Sequence, residues 1–199
     1  NFQLAGPGAK GAGPGHVLKV MHPERERGVV ELQCAALQHL ARRAEQLALP
    51  RVVPARSGEA VTLAALADGT RRMVWMLTYV PGKVLAEAKP HSVELLESLG
   101  GLLGKMSAGL ADFTHPAAKR EWKWDLERAG WICEKLGHIG DPARRELVEL
   151  FLGRYESEIS LALGKLRHSV VYGDANDYNV IVGPAWPLPR RAVSVIDYG

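Results

Sequence analysis

Val170-Val171-Tyr172-Gly173-Asp174-Ala175-Asn176-Asp177-Tyr178-Asn179-Val180-Ile181-Val182 sets an acid, four further residues and an asparagine between two short apolar runs. A second acid follows the next apolar run, in Val193-Ser194-Val195-Ile196-Asp197-Tyr198-Gly199. Apolar runs of this length, bounded by Asp, Asn and Gly, read as short strands joined by turns. A hairpin of them brings Asp174, Asn179 and Asp197 to one end of a small sheet. Two carboxylates and an amide oxygen suit Mg²⁺, a hard ion that takes oxygen ligands and usually shares its shell with substrate phosphates. Asp174, if it is not a ligand, is placed to accept a proton from an attacking hydroxyl. Asp and Asn are also ordinary turn residues; their order and the flanking strands favour the chemical reading.

Upstream, Phe2-Gln3-Leu4 and Val17-Leu18-Lys19-Val20 read as strands flanking the turn-rich stretch from Gly6 to Gly15. That stretch lacks the Gly-Lys-Ser/Thr ending of a phosphate loop, and Pro7 and Pro14 remove amide donors, so a hairpin turn fits it better. From Gly28 to about Leu47, Val30, Cys34, Leu37, Ala41 and Ala44 step by four and three, one helical face, ended by Pro50. Arg72 to Val80 is apolar on both sides and rich in strand formers, a central strand closed by Pro81-Gly82. The pattern then turns helical. Leu96, Leu99, Leu103, Met106, Leu110 and Phe113 form one stripe, with Gly100, Gly101 and Gly104 permitting close helix contact. Trp124 to Leu136 predicts a second helix, with Leu126, Ala129, Cys133 and Leu136 facing inward. Asp141-Pro142 caps a third, along Leu147, Phe151, Tyr155, Ile159 and Leu163. Strand pieces at Val170–Tyr172, Asn179–Val182 and Val193–Ile196 complete an α+β pattern.

Composition excludes several classes. Of 199 residues 47% are hydrophobic and 24% charged, enough for a core and too apolar for disorder. The net charge of +3 comes from bases spread among acids, no footprint for nucleic acid. The longest strongly apolar run, Met73 to Leu77, is far short of a membrane span. Two cysteines build no disulfide scaffold, so a reducing cytoplasm is the expected compartment. Cys34 and Cys133 read as buried small hydrophobes, and the seven histidines show no paired metal spacing. Trp122, Trp124 and Trp131 read as helix-core anchors in preference to a cage for an ammonium group. Asp125 and Asp177 either face an acceptor amine or are solvated. The chain opens on Asn1 and stops directly after a strand-like run, and so reads as a piece of something longer, exposing apolar surface.

The arrangement resembles the small-molecule kinase version of the protein-kinase catalytic core, whose pattern is Asp, four residues, Asn, then Asp-Phe-Gly. Here it reads Asp174, Asn179 and Asp197-Tyr198-Gly199, with Gly173 pointing to the aminoglycoside phosphotransferase superfamily. Asn1-Phe2, Tyr79-Val80-Pro81-Gly82, His115-Pro116, Trp124-Asp125-Leu126 and the Gly173–Val180 stretch resemble its hydroxylysine-kinase-like branch, sometimes fused ahead of a class III aminotransferase. The resemblance implies a bilobal kinase-like fold: an antiparallel sheet plus one helix over 1–80, a hinge at 81–85, and a partial, mostly helical lobe with a small β-hairpin over 86–199. It implies transfer of the γ-phosphate of ATP or GTP to the hydroxyl of a small amino alcohol such as hydroxylysine, with Mg²⁺. Lys19, paired with Glu31 twelve positions on, would contact the α- and β-phosphates; Glu24 and Glu26 lie close enough in sequence to exchange that role with Glu31. Thr78 and Val80 would offer backbone groups to the base. Asn179 and Asp197 would hold the metal, and Asp174 would be the catalytic acceptor of the proton.

This chain departs from the branch at Tyr172, where His is usual, and at Tyr198, where Phe is. Tyr172 motivates a second reading, a catalytically impaired kinase-like module that binds nucleotide or a partner. A metal-dependent phosphohydrolase is weaker, because nothing supplies the extra ligands of a two-metal site.

Overall fold

The computed structural model describes residues 1–4, 15–184 and 190–198. The Gly6 to Gly15 turn expected from the sequence lies outside the described residues but for Gly15. The chain divides into two compact units, Asn1–Ala118 with Ser169–Gly199, and Lys119–His168.

The first unit opens with a five-stranded antiparallel sheet: β1 (Phe2–Leu4), β2 (His16–Val20), β3 (Val52–Val53), β4 (Thr62–Ala65) and β5 (Arg71–Thr78). The apolar stretch expected to be a central strand is β5, which pairs with β2, β3 and β4. The β2–β5 register sets Lys19 opposite Trp75. Helix α1 (Arg27–Arg43) follows β2. One flank of α1, with Val30, Cys34 and Leu37, packs on Trp75, Leu77 and Val61. Another, with Ala36, Leu40 and Ala44, packs with Leu95, Leu102, Met106 and Leu110, most of them on α2 (Val93–Gly109). Helix α2 starts at Ser92, whose side chain accepts from the Leu95 N–H. Gly109 lets the two helices close, since a Cβ there would lie 2.9 Å from Leu40 Cδ2.

That second cluster also takes in Val180, Val182 and Val195, from a three-stranded antiparallel sheet of β6 (Lys83–Val84), β7 (Val180–Val182) and β8 (Ala192–Val195). Gly82 leads into β6 at φ 146°, against β7. The expected boundary at Val80 is thus a different cut from the compact unit, because α1 buries side chains in both clusters. Val170–Tyr172, expected as a strand, runs as irregular chain.

The second unit holds a 3-10 segment (Leu126–His138), α3 (Pro142–Arg154), a π turn (Tyr155–Ile159) and α4 (Ser160–Leu163). Asp141 caps α3 as expected, accepting from the N–H groups of Ala143 and Arg144. Three expectations are corrected here. The helix predicted over Trp124–Leu136 is 3-10 in form, and three residues per turn take Leu126, Ala129, Cys133 and Leu136 off a common buried face; Cys133 is exposed. The third helix does not run unbroken to Leu163. Ser157 and Ser160 hydroxyls bond to the carbonyls of Gly153 and Glu156 where the π turn forms, loosening the regular ladder. Leu147, Phe151 and Ile159 are exposed and Leu152 is buried. Trp122 and Trp124 are exposed, not core anchors; Trp131 stacks edge-on against Trp124 and donates to Lys123 O. In the first unit, a Cβ at Gly100, Gly101 or Gly104 would meet open space, so these glycines mark no helix contact.

Candidate active site

Asp174 sits in irregular chain just before β7, and its carboxylate is held from two sides. Asn176 Nδ2 donates to Oδ1 at 2.8 Å and Asn179 Nδ2 to Oδ2 at 2.9 Å. Asn176 in turn closes the turn on itself. Its side-chain oxygen accepts from the Tyr178 N–H and its carbonyl from the Asn179 N–H. Asn176 had no role from sequence, although an Asn two residues past an acid in a turn is a signal for such a bond. Both Asp174 oxygens are therefore aimed by amide N–H donors, each filling one lone-pair position and leaving the others open to a further donor.

Asn179 spends its amide hydrogens on Asp174, which leaves its side-chain oxygen as an acceptor. Its backbone carbonyl accepts from the Ile196 N–H at 2.8 Å, tying the first turn to the residue before Asp197. Asp197 follows β8 with φ 57°, in the left-handed region. Its Oδ1 accepts from Lys19 Nζ at 2.5 Å, a bond between residues 178 apart. Lys19 is buried on β2, its ammonium 5.2 Å from the Trp75 ring centre, where the ring face favours a cation. The Asp197 side chain remains half exposed.

Tyr172 lies between these turns. Its hydroxyl donates to Ile196 O at 2.5 Å and reaches Asp197 O at 3.3 Å. Its ring meets Tyr198 edge-on at 5.1 Å. Burial, with the charges of Asp174 and Asp197, pushes both its ionisation and, by burial and Tyr172, that of Tyr198 well above the ordinary phenol range. Both phenols are neutral at working pH, and Tyr172 is the one that donates.

The structure therefore connects Lys19, Asp174, Asn179 and Asp197, and it places the other expected residues elsewhere. Glu31 turns to Arg27, four residues back on α1, at 2.7 Å, and among the described residues the ion pair on Lys19 is to Asp197, not Glu31. Thr78 ends β5, where its N–H and side-chain oxygen both bond to the Arg51 backbone; Val80 lies beyond the strand. Asp125 caps the 3-10 segment by accepting from the Glu127 N–H, and the Asp177 carbonyl accepts from Ala86 N.

Oxygen is the donor type that remains available at Asn179 and Asp197, and it fits a hard divalent ion. Among the described residues no group of three or more His, Cys, Asp and Glu stands ready to hold a metal. An ion at Asn179 and Asp197 would thus complete its shell with water and substrate phosphate, the usual habit of Mg²⁺. Also among the described residues, no helix is long and apolar enough to cross a membrane.

Hydroxylysine kinase from Mus musculus is 26% identical over 197 residues, covering 92% of this chain and 52% of that protein. Hydroxylysine kinase from Bos taurus is 27% identical over 175 residues, covering 83% and 46%. The chain thus spans about half the length of the curated relatives it matches. Among solved structures, the amicoumacin kinase hAmiN in complex with AMP-PNP, Ca²⁺ and Ami superposes with a TM-score of 0.60 at 17% identity, over 94% of this chain and 52% of that one. A microcompartment-associated aminopropanol kinase gives 0.58 at 22% identity, over 93% and 57%. These likenesses show the fold, α+β and kinase-like, as the sequence led one to expect. The model of the phosphotransferase enzyme family (APH) matches residues 9–199, and with nearly the whole chain inside that match, the chain belongs to this family.

Proposed function

We propose that the protein is a small-molecule kinase that moves the γ-phosphate of ATP or GTP to the hydroxyl of an amino alcohol, hydroxylysine being the first candidate. The observation that carries this is the 2.5 Å bond from Lys19 to Asp197, which joins a buried β2 lysine to the turn bonded to Asn179 and Asp174. The names of the relatives supply the acceptor class.

In this reading residues 1–80 bind nucleotide, 81–85 are the hinge and 86–199 carry the catalytic turns. Lys19 contacts the α- and β-phosphates, and its pairing with Asp197 marks where the phosphate chain and the acid loop meet. Thr78, with its N–H spent on Arg51, keeps its carbonyl for the base; Val80 adds backbone groups beyond the strand. Glu31, bonded to Arg27, reaches Lys19 only by releasing that arginine. Asn179 and Asp197 would hold Mg²⁺, which when bound neutralises charge between the phosphates. Asp174, aimed by Asn176 and Asn179, orients the acceptor hydroxyl and takes its proton. The hydroxyl oxygen bonds to the γ-phosphorus as the bridging bond to the β-phosphate breaks, releasing the nucleoside diphosphate. Catalysis is then mainly positioning and electrostatics. The two free cysteines agree with a cytoplasmic setting. A fused aminotransferase downstream would be a further part of the same protein.

The test uses the intact protein with hydroxylysine and related amino alcohols, ATP and GTP. Asp174→Asn should lower kcat by about 10²- to 10⁴-fold with little change in nucleotide affinity. Unchanged phosphorylation would remove the role given to Asp174. Magnesium-dependent nucleotide stabilisation of the unaltered protein, with no phosphorylated product from any acceptor, would favour the impaired module instead.

A further inference from the structure

Asp197 holds a backbone conformation, φ 57°, that a residue with a Cβ keeps only when its surroundings impose it. The carbonyl before it and its own carbonyl both lie within reach of a single donor, the Tyr172 hydroxyl, at 2.5 and 3.3 Å. On the other side the Ile196 N–H is fixed by the Asn179 carbonyl. Ile196, the residue before Asp197, is thus held at both of its backbone groups, its N–H by Asn179 and its carbonyl by Tyr172, and the Asp197 side chain next to it points at Lys19. The hydroxyl is the sole polar atom of the Tyr172 side chain. Removing it subtracts both bonds and keeps the ring against Tyr198.

We propose that Tyr172 is a positioning residue that holds the Asp197 carboxylate where a divalent cation and Lys19 can share it, and that ties this turn to the one bearing Asp174. The hypothesis rests on the reading of Asp197 as a metal-holding carboxylate. A hydroxyl with only a packing duty would influence stability alone. One that fixes Asp197 also governs cation affinity, because the carboxylate would otherwise sample orientations turned away from the site.

The experiment titrates Mn²⁺ into the intact protein with a non-hydrolysable ATP analogue present, reading bound metal by EPR. Analogue binding without metal and urea denaturation are run beside it. Tyr172→Phe should raise the Mn²⁺ Kd about tenfold, the worth of one well-placed hydrogen bond, and leave metal-free analogue binding unchanged. Tyr172→His, which keeps a ring N–H donor, should restore the Kd to within about threefold of the starting protein. Asp197→Asn serves as the reference. If it weakens Mn²⁺ binding while Tyr172→Phe binds Mn²⁺ as the starting protein does, the brace is wrong and the site reading stands. If Asp197→Asn itself leaves Mn²⁺ binding intact, the site reading fails and the brace falls with it. Should Tyr172→Phe not fold, Tyr172→His decides: retention within about threefold supports the brace, and a tenfold loss in a folded protein overturns it.

Discussion

Replacing Tyr198 by Phe should make the protein more stable, although it deletes an atom from a well-packed region. The Tyr198 side chain packs against both apolar clusters of the first unit and edge-on to Tyr172. Among the described residues, its hydroxyl is the buried side-chain polar atom without a hydrogen-bond partner. In the unfolded chain that hydroxyl is hydrated. In the folded protein it is stripped of water and bonded to nothing, a loss of about 1–3 kcal/mol for a neutral group. Phe retains the ring and so nearly all of the dispersion contacts. The net expectation for Tyr198→Phe is a gain of about 1–2 kcal/mol, or about 2–8 °C in Tm for a domain of this size. Urea denaturation followed by tryptophan fluorescence, with an unchanged m-value, measures it. A loss of about 1 kcal/mol or more would refute the reasoning, since it would mean that the hydroxyl does have a partner in the folded protein.

Two further outcomes follow from local geometry. At Gly82, with φ 146°, an added Cβ would lie 2.4 Å from Ile181 Cγ2 and 2.7 Å from the Val182 carbonyl. Gly82→Ala should therefore cost about 2–4 kcal/mol by denaturant titration; a change below about 0.5 kcal/mol would show that β7 can yield there. Burial, with Glu31 nearby, pushes the Cys34 thiol up to about 12. Alkylation at pH 8 followed by peptide mass mapping should thus label exposed Cys133 and spare Cys34 until denaturant is added. Labelling of native Cys34 at the rate of Cys133 would contradict its burial.

Much of the front of the molecule was legible because its signals are local. The stripe Val30, Cys34, Leu37 has helical spacing and lies on α1, and the doubly apolar run Met73–Leu77 lies in the strand that carries three partners. The acid–four–asparagine–acid order was legible too, and β7 and β8 formed where expected, although Val170–Tyr172 before the first acid runs as irregular chain. What escaped depends on competition between partners. Glu31 looked like the mate of Lys19, but Arg27 stands one helical turn away and takes it at no cost in chain entropy. The regular helix expected over 124–136 and the unbroken run expected as far as Leu163 failed for a related reason, while α3 itself formed over Pro142–Arg154. Serine hydroxyls compete for backbone carbonyls, and an apolar stripe counted at 3.6 residues per turn loses its meaning in a 3-10 segment. The duty of Tyr172 depends on two carbonyls 24 and 25 residues away, which no spacing rule anticipates.

Helix α1 has little dry side to spare, since it is claimed by the β-sheet along one edge and by α2 along the other. A protein built this way should resist coming apart piecemeal. Loosening the strands would strip Cys34 and Leu37 of cover, and loosening α2 would do the same to Leu40 and Ala44, so either loss weakens the helix that the survivor needs. Cooperativity of that sort links the lysine strand to the acid turns through the interior, quite apart from any charge that passes between them.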